Sequence, residues 1–394
     1  MNRRTLLKTF AAGALATAAG RLFAAPANTP RFLLVFLRGG YDAANLLIPI
    51  SSNFYYAARP NIAIAKPGND LASALPLNTD WGLHPALRDS LYPLYQNGQL
   101  AFIPFAGTDD TTRSHFETQD SIELGQGPGF LHSDHSGFLN RLAQELQGTT
   151  PIAFTEQLPL IMQGRQEVPN IALRNASKPG VDARQSSLIA SMYHGSPLAE
   201  SVEQGFAVRD EALHTLETEM NQASRNAITA KGFELEARRI ARLMLDKYTL
   251  GFVDVGGWDT HVGQGGATGA LAGRFDELGR GLAAYADEMG SAWHNTVVMV
   301  ISEFGRTFRE NGNRGTDHGH GTVYWVLGGG LGAKGIVGQQ QAVTEATLFQ
   351  NRDYPVLNEY RNVLGGLFSR LYGLNATQIE RVFPGAKPSD LGLV

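Results

Sequence analysis

The sequence predicts an α/β protein built on a mostly parallel sheet sandwiched by helices. Short, wholly apolar runs recur along the chain, and such runs are typical of strands that are buried on both faces. Segments with apolar residues at helical spacing precede several of these runs, which indicates alternating helices and parallel strands. The composition agrees with a globular protein, since 43% of the 394 residues are apolar and 18% are charged.

The apolar runs predict five strands, in chain order residues 32–37, 99–105, 251–255, 296–301 and 322–327. The helical pattern predicts helices at about 85–96 and 234–247, and a closing helix at 358–373. A further helix before the fourth strand carries Phe275, Leu278, Leu282, Tyr285 and Met289 at spacings of three or four residues. Residues 139–227 lack this pattern and are interpreted as an insertion or cap on one α/β domain that spans residues 28–394.

Residues 1–27 have the pattern of a cleavable export signal. A basic start is followed by an uncharged run rich in Ala and Gly and then by small residues. The adjacent pair Arg3 and Arg4 favours the twin-arginine type, which implies the twin-arginine export machinery as a partner; an ordinary secretory signal or a short anchor is the alternative. We therefore expect a periplasmic or secreted bacterial protein with no stable membrane insertion after processing.

Charge and cysteine content exclude several functions. Residues 1–27 hold four basic side chains and no acidic one, so their removal lowers the net charge from −4 to about −8. Such an acidic protein is not expected to bind nucleic acid, which requires clustered Lys and Arg. The absence of Cys excludes disulfides, thiolate metal sites and a cysteine nucleophile. No glycine-rich nucleotide motif follows a predicted strand.

Polar residues follow the predicted strands, where ligands of open α/β sheets bind. Asp42 follows the first strand, Asp259 and His261 follow the third, and His318 and His320 precede the fifth. Imidazole and carboxylate groups at these short spacings suit a divalent ion such as Zn, Mn or Mg. The alternative is that these residues are structural and that no metal binds.

Ser114 is the candidate nucleophile, because a hydroxyl at a helix start beside a divalent ion can attack a phosphoryl or sulfuryl centre. The alternative is a capping box with Glu117. His115 is a candidate ligand or acid. Arg38 and Arg306 are candidates for binding a tetrahedral oxyanion, or else ordinary ion-pair partners.

Together these segments resemble the bacterial DUF1501 family over nearly the whole chain. The resemblance is carried by LRGGYDAANLLIP, RSHFETQD, VDVGGWDTH, VISEFGRT, TDHGHG and YRNVLGGLF. That family is similar in organisation to the alkaline phosphatase superfamily, which includes sulfatases and phosphodiesterases. The resemblance implies two divalent ions at the carboxyl ends of a parallel sheet, with a Ser, Thr or formylglycine nucleophile between them.

The resemblance also implies roles for particular residues. Asp42, Asp259, His261, Glu303 and His318 or His320 would be metal ligands, and Ser114 would be the nucleophile. The chain has Asp-x-His at 259–261 where the superfamily usually has Asp-x-x-x-His, and Glu303-Phe304 where it usually has Asp-His. These differences leave one ion and two ions as alternatives. Ser114 also lacks the x-Pro-x-Arg that a formylglycine sulfatase requires.

The leading hypothesis is an exported, divalent-metal-dependent hydrolase. Its substrate would be a phosphate ester, with a sulfate ester as the second candidate, in a small molecule or a polymer. Ser114 would attack, and Arg38 or Arg306 would neutralise the substrate oxyanion. The alternative is a catalytically inactive metal-binding protein of the same fold that acts in the cell envelope.

Overall fold

A computed structural model describes residues 29–127, 136–173, 191–196, 198–199, 201–202 and 232–394. The predicted export signal lies outside the described residues, as do 174–190 and 203–231, which include part of the predicted insertion. Within the described residues, no helix has the length and apolar character that crossing a membrane requires.

The strands of the described residues are β1 (Arg31–Leu37), β2 (Leu47–Pro49), β3 (Leu75–Pro76), β4 (Trp81–Leu83), β5 (Leu100–Gly107), β6 (Pro151–Phe154), β7 (Leu250–Val255), β8 (Thr296–Ser302), β9 (Thr322–Leu327), β10 (Gly335–Ile336) and β11 (Asn358–Glu359). The α-helices are α1 (Ala43–Leu46), α2 (Asn53–Ala58), α3 (Leu91–Gln96), α4 (His115–Leu124), α5 (Phe138–Glu145), α6 (Phe233–Asp246), α7 (Ala270–Met289), α8 (Tyr360–Tyr372) and α9 (Ala376–Val382).

The main sheet has the strand order β10-β5-β9-β8-β1-β7-β6, and β11 also pairs with β5. Five of its pairings are parallel, including β1 with both β7 and β8. The predicted strands all lie in this sheet, so the predicted fold class is confirmed. β2, β4 and β3 form a separate small antiparallel sheet.

β9 differs in direction from the other strands of the main sheet. It is antiparallel to both of its neighbours, β5 and β8. A parallel pair needs a crossover connection, usually a helix, to return the chain to the starting edge. The chain between β8 and β9 forms no α-helix and stays at the edge where β8 ends, so β9 runs back in the opposite direction.

Helices cover both faces of the sheet, because alternate side chains of the strands point to opposite sides. On one face Leu33, Val35 and Leu37 of β1 share a core with residues of α6 and α7. On the other face Phe32, Leu34 and Phe36 share a core with residues of α5, α8 and α9. The start of the predicted insertion belongs to this framework, since α5 packs on the sheet and β6 is its edge strand.

Candidate metal centre

The carboxyl ends of the central strands lie level with one another at one edge of the sheet. Leu37, the last residue of β1, pairs in register with Val255 of β7 and with Ser302 of β8. Since β9 runs the opposite way, its first residue, Thr322, lies at the same edge. The loops after β1, β7 and β8 and the loop before β9 therefore meet, as the polar residues of these loops predict.

Three histidines and an aspartate come together at this edge. The Nε2 atom of His318 lies 3.0 Å from Nε2 of His115 and 3.2 Å from Nε2 of His261. Oδ1 of Asp259 lies 2.9 Å from Nε2 of His261 and 3.3 Å from Nε2 of His318, and its Oδ2 lies 3.6 Å from Nε2 of His115. We call these four residues, His115, Asp259, His261 and His318, the histidine centre.

The second nitrogen of each histidine faces a hydrogen-bond acceptor. Nδ1 of His115 lies 2.8 Å from a carboxylate oxygen of Glu303, and Nδ1 of His261 lies 3.1 Å from Asp317. Nδ1 of His318 lies 3.1 Å from the backbone oxygen of Arg113. This network assigns a proton to each Nδ1, so Nε2 of His318 presents a lone pair toward the Nε2 lone pairs of both His115 and His261. Lone pairs at such distances repel unless a proton or a cation lies between them.

These atoms fit a divalent cation. A tetrahedral zinc ion with nitrogen ligands at about 2.0–2.1 Å would hold its ligand atoms about 3.3 Å apart, close to the separations among His115, Asp259 and His318, whose ligand atoms all lie within 4.8 Å of one another. His261 adds a further nitrogen 2.9 Å from Asp259 and 3.2 Å from His318. The Nδ1 contacts match the outer hydrogen bonds that orient metal-binding histidines in proteins. The four side chains are also accessible, with exposed fractions of 24% for His115, 27% for His318 and 41% for both Asp259 and His261. An accessible set of ligands is typical of a catalytic rather than a structural metal site.

Arg306 fixes the carboxylate of Asp259 from the interior. Its buried guanidinium forms an ion pair with Oδ1 of Asp259. Nε and Nη2 donate to the hydroxyl and the backbone oxygen of Thr316, and Nη1, which pairs with Asp259, also approaches the backbone oxygen of Gly39 at 3.4 Å. Arg306 therefore reaches Asp259 rather than the solvent side of the centre.

Burial and hydrogen bonding shift the pKa values of the centre in different directions. Burial alone would raise the pKa of Asp259 and of Glu303, but bonds from Arg306 to Asp259, and from His115 and Gln119 to Glu303, lower both overall. The bond to Glu303 raises the pKa of His115. Burial and the neighbouring His115 lower the pKa of His318. Both carboxylates are thereby held in the ionised form.

Glu303 lies behind His115. Its Oε1 accepts hydrogen bonds of 2.8 Å from the backbone nitrogen of Gly39, from Nδ1 of His115 and from Nε2 of Gln119. Its Oε2 accepts a 2.8 Å bond from the hydroxyl of Ser302. The side chain is buried, and it contacts the histidine centre only through the far side of the His115 ring.

Asp42 lies in a separate buried network. Its carboxylate accepts two bonds from Arg59, of 2.5 and 3.0 Å, and a 2.6 Å bond from Gln264. Gln264 in turn accepts bonds from the hydroxyls of Thr260 and Thr316. Within the described residues Asp42 thus makes no direct hydrogen bond to the histidine centre, and it is linked to the centre through Gln264 with its threonine partners and through Arg59, which bonds to the backbone oxygen of Thr307.

The remaining predicted site residues, Ser114, Arg38 and His320, are not members of the histidine centre. Ser114 is the N-cap of α4, one residue before His115, but its side chain makes no capping hydrogen bond, so the capping box with Glu117 does not form. Arg38 forms ion pairs with Glu123 and Asp254. His320 is buried, and its ring packs against Phe349 at a centroid distance of 4.8 Å.

Three supporting residues were not predicted as site residues from the sequence. Asp317 orients His261, Gln119 bonds to Glu303, and Gln264 joins Thr316 to Asp42. The sequence could have indicated Gln119, because this residue follows His115 by four positions in α4 and so lies on the same face of the helix. Gln264 carries no comparable signal, since its partners come from distant segments.

Solved structures similar to this chain have low sequence identity to it. One is a protein of the alkaline phosphatase superfamily from Vibrio parahaemolyticus, at 13% identity and a TM-score of 0.39, covering 89% of this chain and 68% of that one. Another is the C-terminal periplasmic domain of EptC from Escherichia coli in complex with zinc, at 9% identity and a TM-score of 0.38, covering 77% and 74%. A third is the lipoteichoic acid synthase LtaP from Listeria monocytogenes, at 8% identity and a TM-score of 0.38, covering 94% and 77%.

A search of curated protein sequences gives no significant match. The family comparison gives a match over most of the chain. Residues 29–383 match the family described as a protein of unknown function (DUF1501). This range contains every residue of the histidine centre and all the strands of the main sheet, and the chain therefore belongs to the DUF1501 family.

Proposed function

We propose that this protein is a divalent-metal-dependent hydrolase of phosphate esters, with sulfate esters as the second candidate substrate class. The observation that supports the proposal is the histidine centre, where three Nε2 lone pairs and a carboxylate converge at an accessible sheet edge. The three imidazoles favour zinc, the carboxylate also suits manganese, and magnesium prefers a set made of oxygen ligands. A bound ion would polarise a phosphoryl oxygen of the substrate.

Ser114 is the proposed nucleophile. It directly precedes His115 at the start of the ten-residue helix α4, where the helix dipole favours negative charge on the hydroxyl oxygen. Its oxygen would bond to phosphorus as the bond from phosphorus to the ester oxygen breaks, and the serine proton would leave with the departing alcohol. Water would then cleave the phosphoserine and release phosphate.

The other residues have supporting roles in this proposal. Arg306 is a positioning residue that holds Asp259, because its guanidinium is buried and bonded to protein atoms. Glu303 and Asp317 hold the rings of His115 and His261. The proposed setting is the periplasm or the exterior of the cell, after export directed by residues 1–27.

The test combines metal analysis with turnover. The wild-type protein should contain zinc or manganese by inductively coupled plasma mass spectrometry and should hydrolyse aryl phosphate mono- and diesters. Ser114→Ala should keep the metal and lose turnover, whereas Asp259→Ala should lose both. A protein that retains its metal, shows no turnover on a broad panel of esters and has no phenotype in Ser114→Ala would instead be the metal-binding protein of the alternative hypothesis.

A further inference from the structure

The acidic residues at this edge of the sheet differ in whether a cation can reach them. The proposed function requires at least one divalent ion, and the resemblance to the alkaline phosphatase superfamily implies up to two. Each carboxylate oxygen has two lone pairs, so an oxygen that is buried and already accepts its protein donors is closed to an ion, whereas an accessible oxygen with one donor can still bind one. The hydrogen bonds of Asp42, Glu303 and Asp259 therefore bear on how many ions the described residues can hold.

Asp42 is not available as a ligand. Arg59 and Gln264 occupy both of its carboxylate oxygens, and both Asp42 and Arg59 are buried. If Asp42 turned to bind a metal ion, the guanidinium of Arg59 would be left in the interior without its counter-charge. Breaking a buried ion pair in this way is strongly unfavourable.

Glu303 is likewise occupied, by three donors on one oxygen and the Ser302 hydroxyl on the other. It also bonds to Nδ1 of His115, whereas the histidine centre is formed by Nε2 on the opposite side of that ring. Glu303 therefore serves as a partner of a ligand and does not reach the same ion.

Asp259 is approached by positive charge from inside the protein. The guanidinium of Arg306 lies against Oδ1 and is held there by Thr316 and Gly39. Because Arg remains protonated at all ordinary pH values, this charge is permanent. It takes the place that a second cation bridged by Asp259 would need.

We infer that the centre takes a single divalent ion, bound by His115, Asp259, His261 and His318, and that Arg306 supplies the second positive charge on Asp259. The inference rests on the metal site of the proposed function and concerns its stoichiometry and the roles of Asp42 and Arg306.

The experiment measures the ion content of the folded protein after loading with Zn²⁺ or Mn²⁺ and removal of free metal. Wild type and Asp42→Asn should both retain one equivalent, and Asp259→Asn should retain less than a tenth of an equivalent. The electron paramagnetic resonance spectrum of the wild-type Mn²⁺ form should be that of an isolated ion. This spectrum tests the inference without any variant, in case Asp42→Asn does not fold.

Two equivalents in the wild type, a spectrum of two coupled Mn²⁺ ions, or loss of an ion in Asp42→Asn would overturn the inference. The first two results would leave the proposed hydrolase intact if turnover is present. One equivalent without turnover on any ester would have the opposite meaning, since it would support the single-ion centre and contradict the proposed function. No retained ion in the wild type would overturn both.

Discussion

Asp317 and Glu303 act on different histidines in the same way. Each accepts a hydrogen bond from Nδ1 of a ring whose Nε2 faces the centre, at 3.1 Å for Asp317 and 2.8 Å for Glu303. Such partners fix the tautomer and the orientation of the ring, and they make Nε2 a better electron donor. We therefore expect the affinity of the proposed site for an ion to depend on residues that do not touch it.

Replacing Asp317 tests this dependence with little risk to folding, because half of its side chain is exposed. Asp317→Asn should weaken metal binding by about 10- to 100-fold, the range found for outer partners of metal ligands. Isothermal titration with Zn²⁺ measures the effect. Asp287→Asn, a change at an exposed carboxylate on α7, is the matched control and should bind as wild type. Equal affinities in the two variants would show that Asp317 does not orient His261.

His84 should make the stability of the fold depend on pH, independently of the histidine centre. Its ring is fully buried, Nδ1 accepts a 3.1 Å bond from the backbone nitrogen of Ala86, and Nε2 donates to the backbone oxygen of Gly266. Burial lowers its pKa from 6.5 to about 4. Because the folded state resists protonation, stability is fully present above about pH 6.5 and is lost as the pH falls toward 4.

We expect His84 to account for a loss of about 3 kcal/mol of unfolding free energy between pH 7 and pH 4. Urea denaturation over this range, with chelator present to remove any effect of metal, measures it. Asn does not titrate in this pH range. The His84→Asn variant should therefore be less stable at pH 7, but its unfolding free energy should fall less steeply as the pH is lowered to 4. An unchanged slope would contradict the assignment.

At the scale of the element, the turn after β1 decides how closely the β7 loop can approach. Gly39 has a φ of +123°, and a Cβ at this position would lie 2.6 Å from the backbone nitrogen of Asp259. Its backbone nitrogen donates to Glu303, and its oxygen faces Arg306. A single glycine thus touches the supports of both His115 and Asp259.

Gly39→Ala should therefore displace Asp259 and weaken metal binding by at least 10-fold, with a loss of stability of about 2 kcal/mol from backbone strain. Gly256→Ala is the control, since an added Cβ there meets no atom within 4 Å. Metal titration and thermal unfolding of both variants measure the effects. If Gly39→Ala bound metal as tightly as Gly256→Ala, metal binding would not depend on the close packing of the turn after β1 against the loop after β7.

The elements that could be predicted from the sequence are those with a strong local signal. The apolar runs of β1, β5, β7, β8 and β9 and the helical stripe of α6 predict their positions to within one or two residues, and the stripe from Phe275 to Met289 lies inside α7. The direction of β9 has no such signal, because it depends on the path of the chain between β8 and β9. The ion pair between Asp42 and Arg59 could not be predicted from local sequence patterns either, because Arg59 lies in no motif and contacts Asp42 only in the folded protein.

At the scale of the whole molecule, the histidine centre joins parts of the sheet that are otherwise connected by one strand. β5 contacts the parallel strands β8, β1, β7 and β6 only through β9 in the strand order. His115 follows β5, Asp259 and His261 follow β7, and His318 precedes β9. An ion bound by all four residues would therefore crosslink the loop after β5, on one side of β9, to the loop after β7, on the other side.

Metal binding should accordingly stabilise the whole fold. At a free ion concentration 100 times the dissociation constant, the unfolding free energy should rise by about 2.7 kcal/mol. Differential scanning calorimetry with Zn²⁺ and with chelator measures the change as a higher midpoint temperature. Asp259→Asn should show no such rise, and an equal rise in that variant would mean that the ion stabilises the protein from another site.

The position of β9 also has a consequence for the order of events during synthesis. Both of its neighbours, β5 and β8, precede it in the chain, so the sheet is joined only after Leu327 has left the ribosome. Before that point β1, β7 and β8 can already pair with one another, but His115 and His318 are not yet held against Asp259 and His261. The centre, and any ion that it binds, would thus form late in translation, and a ribosome-bound chain that ends before Thr322 would contain all four residues without the centre that they form.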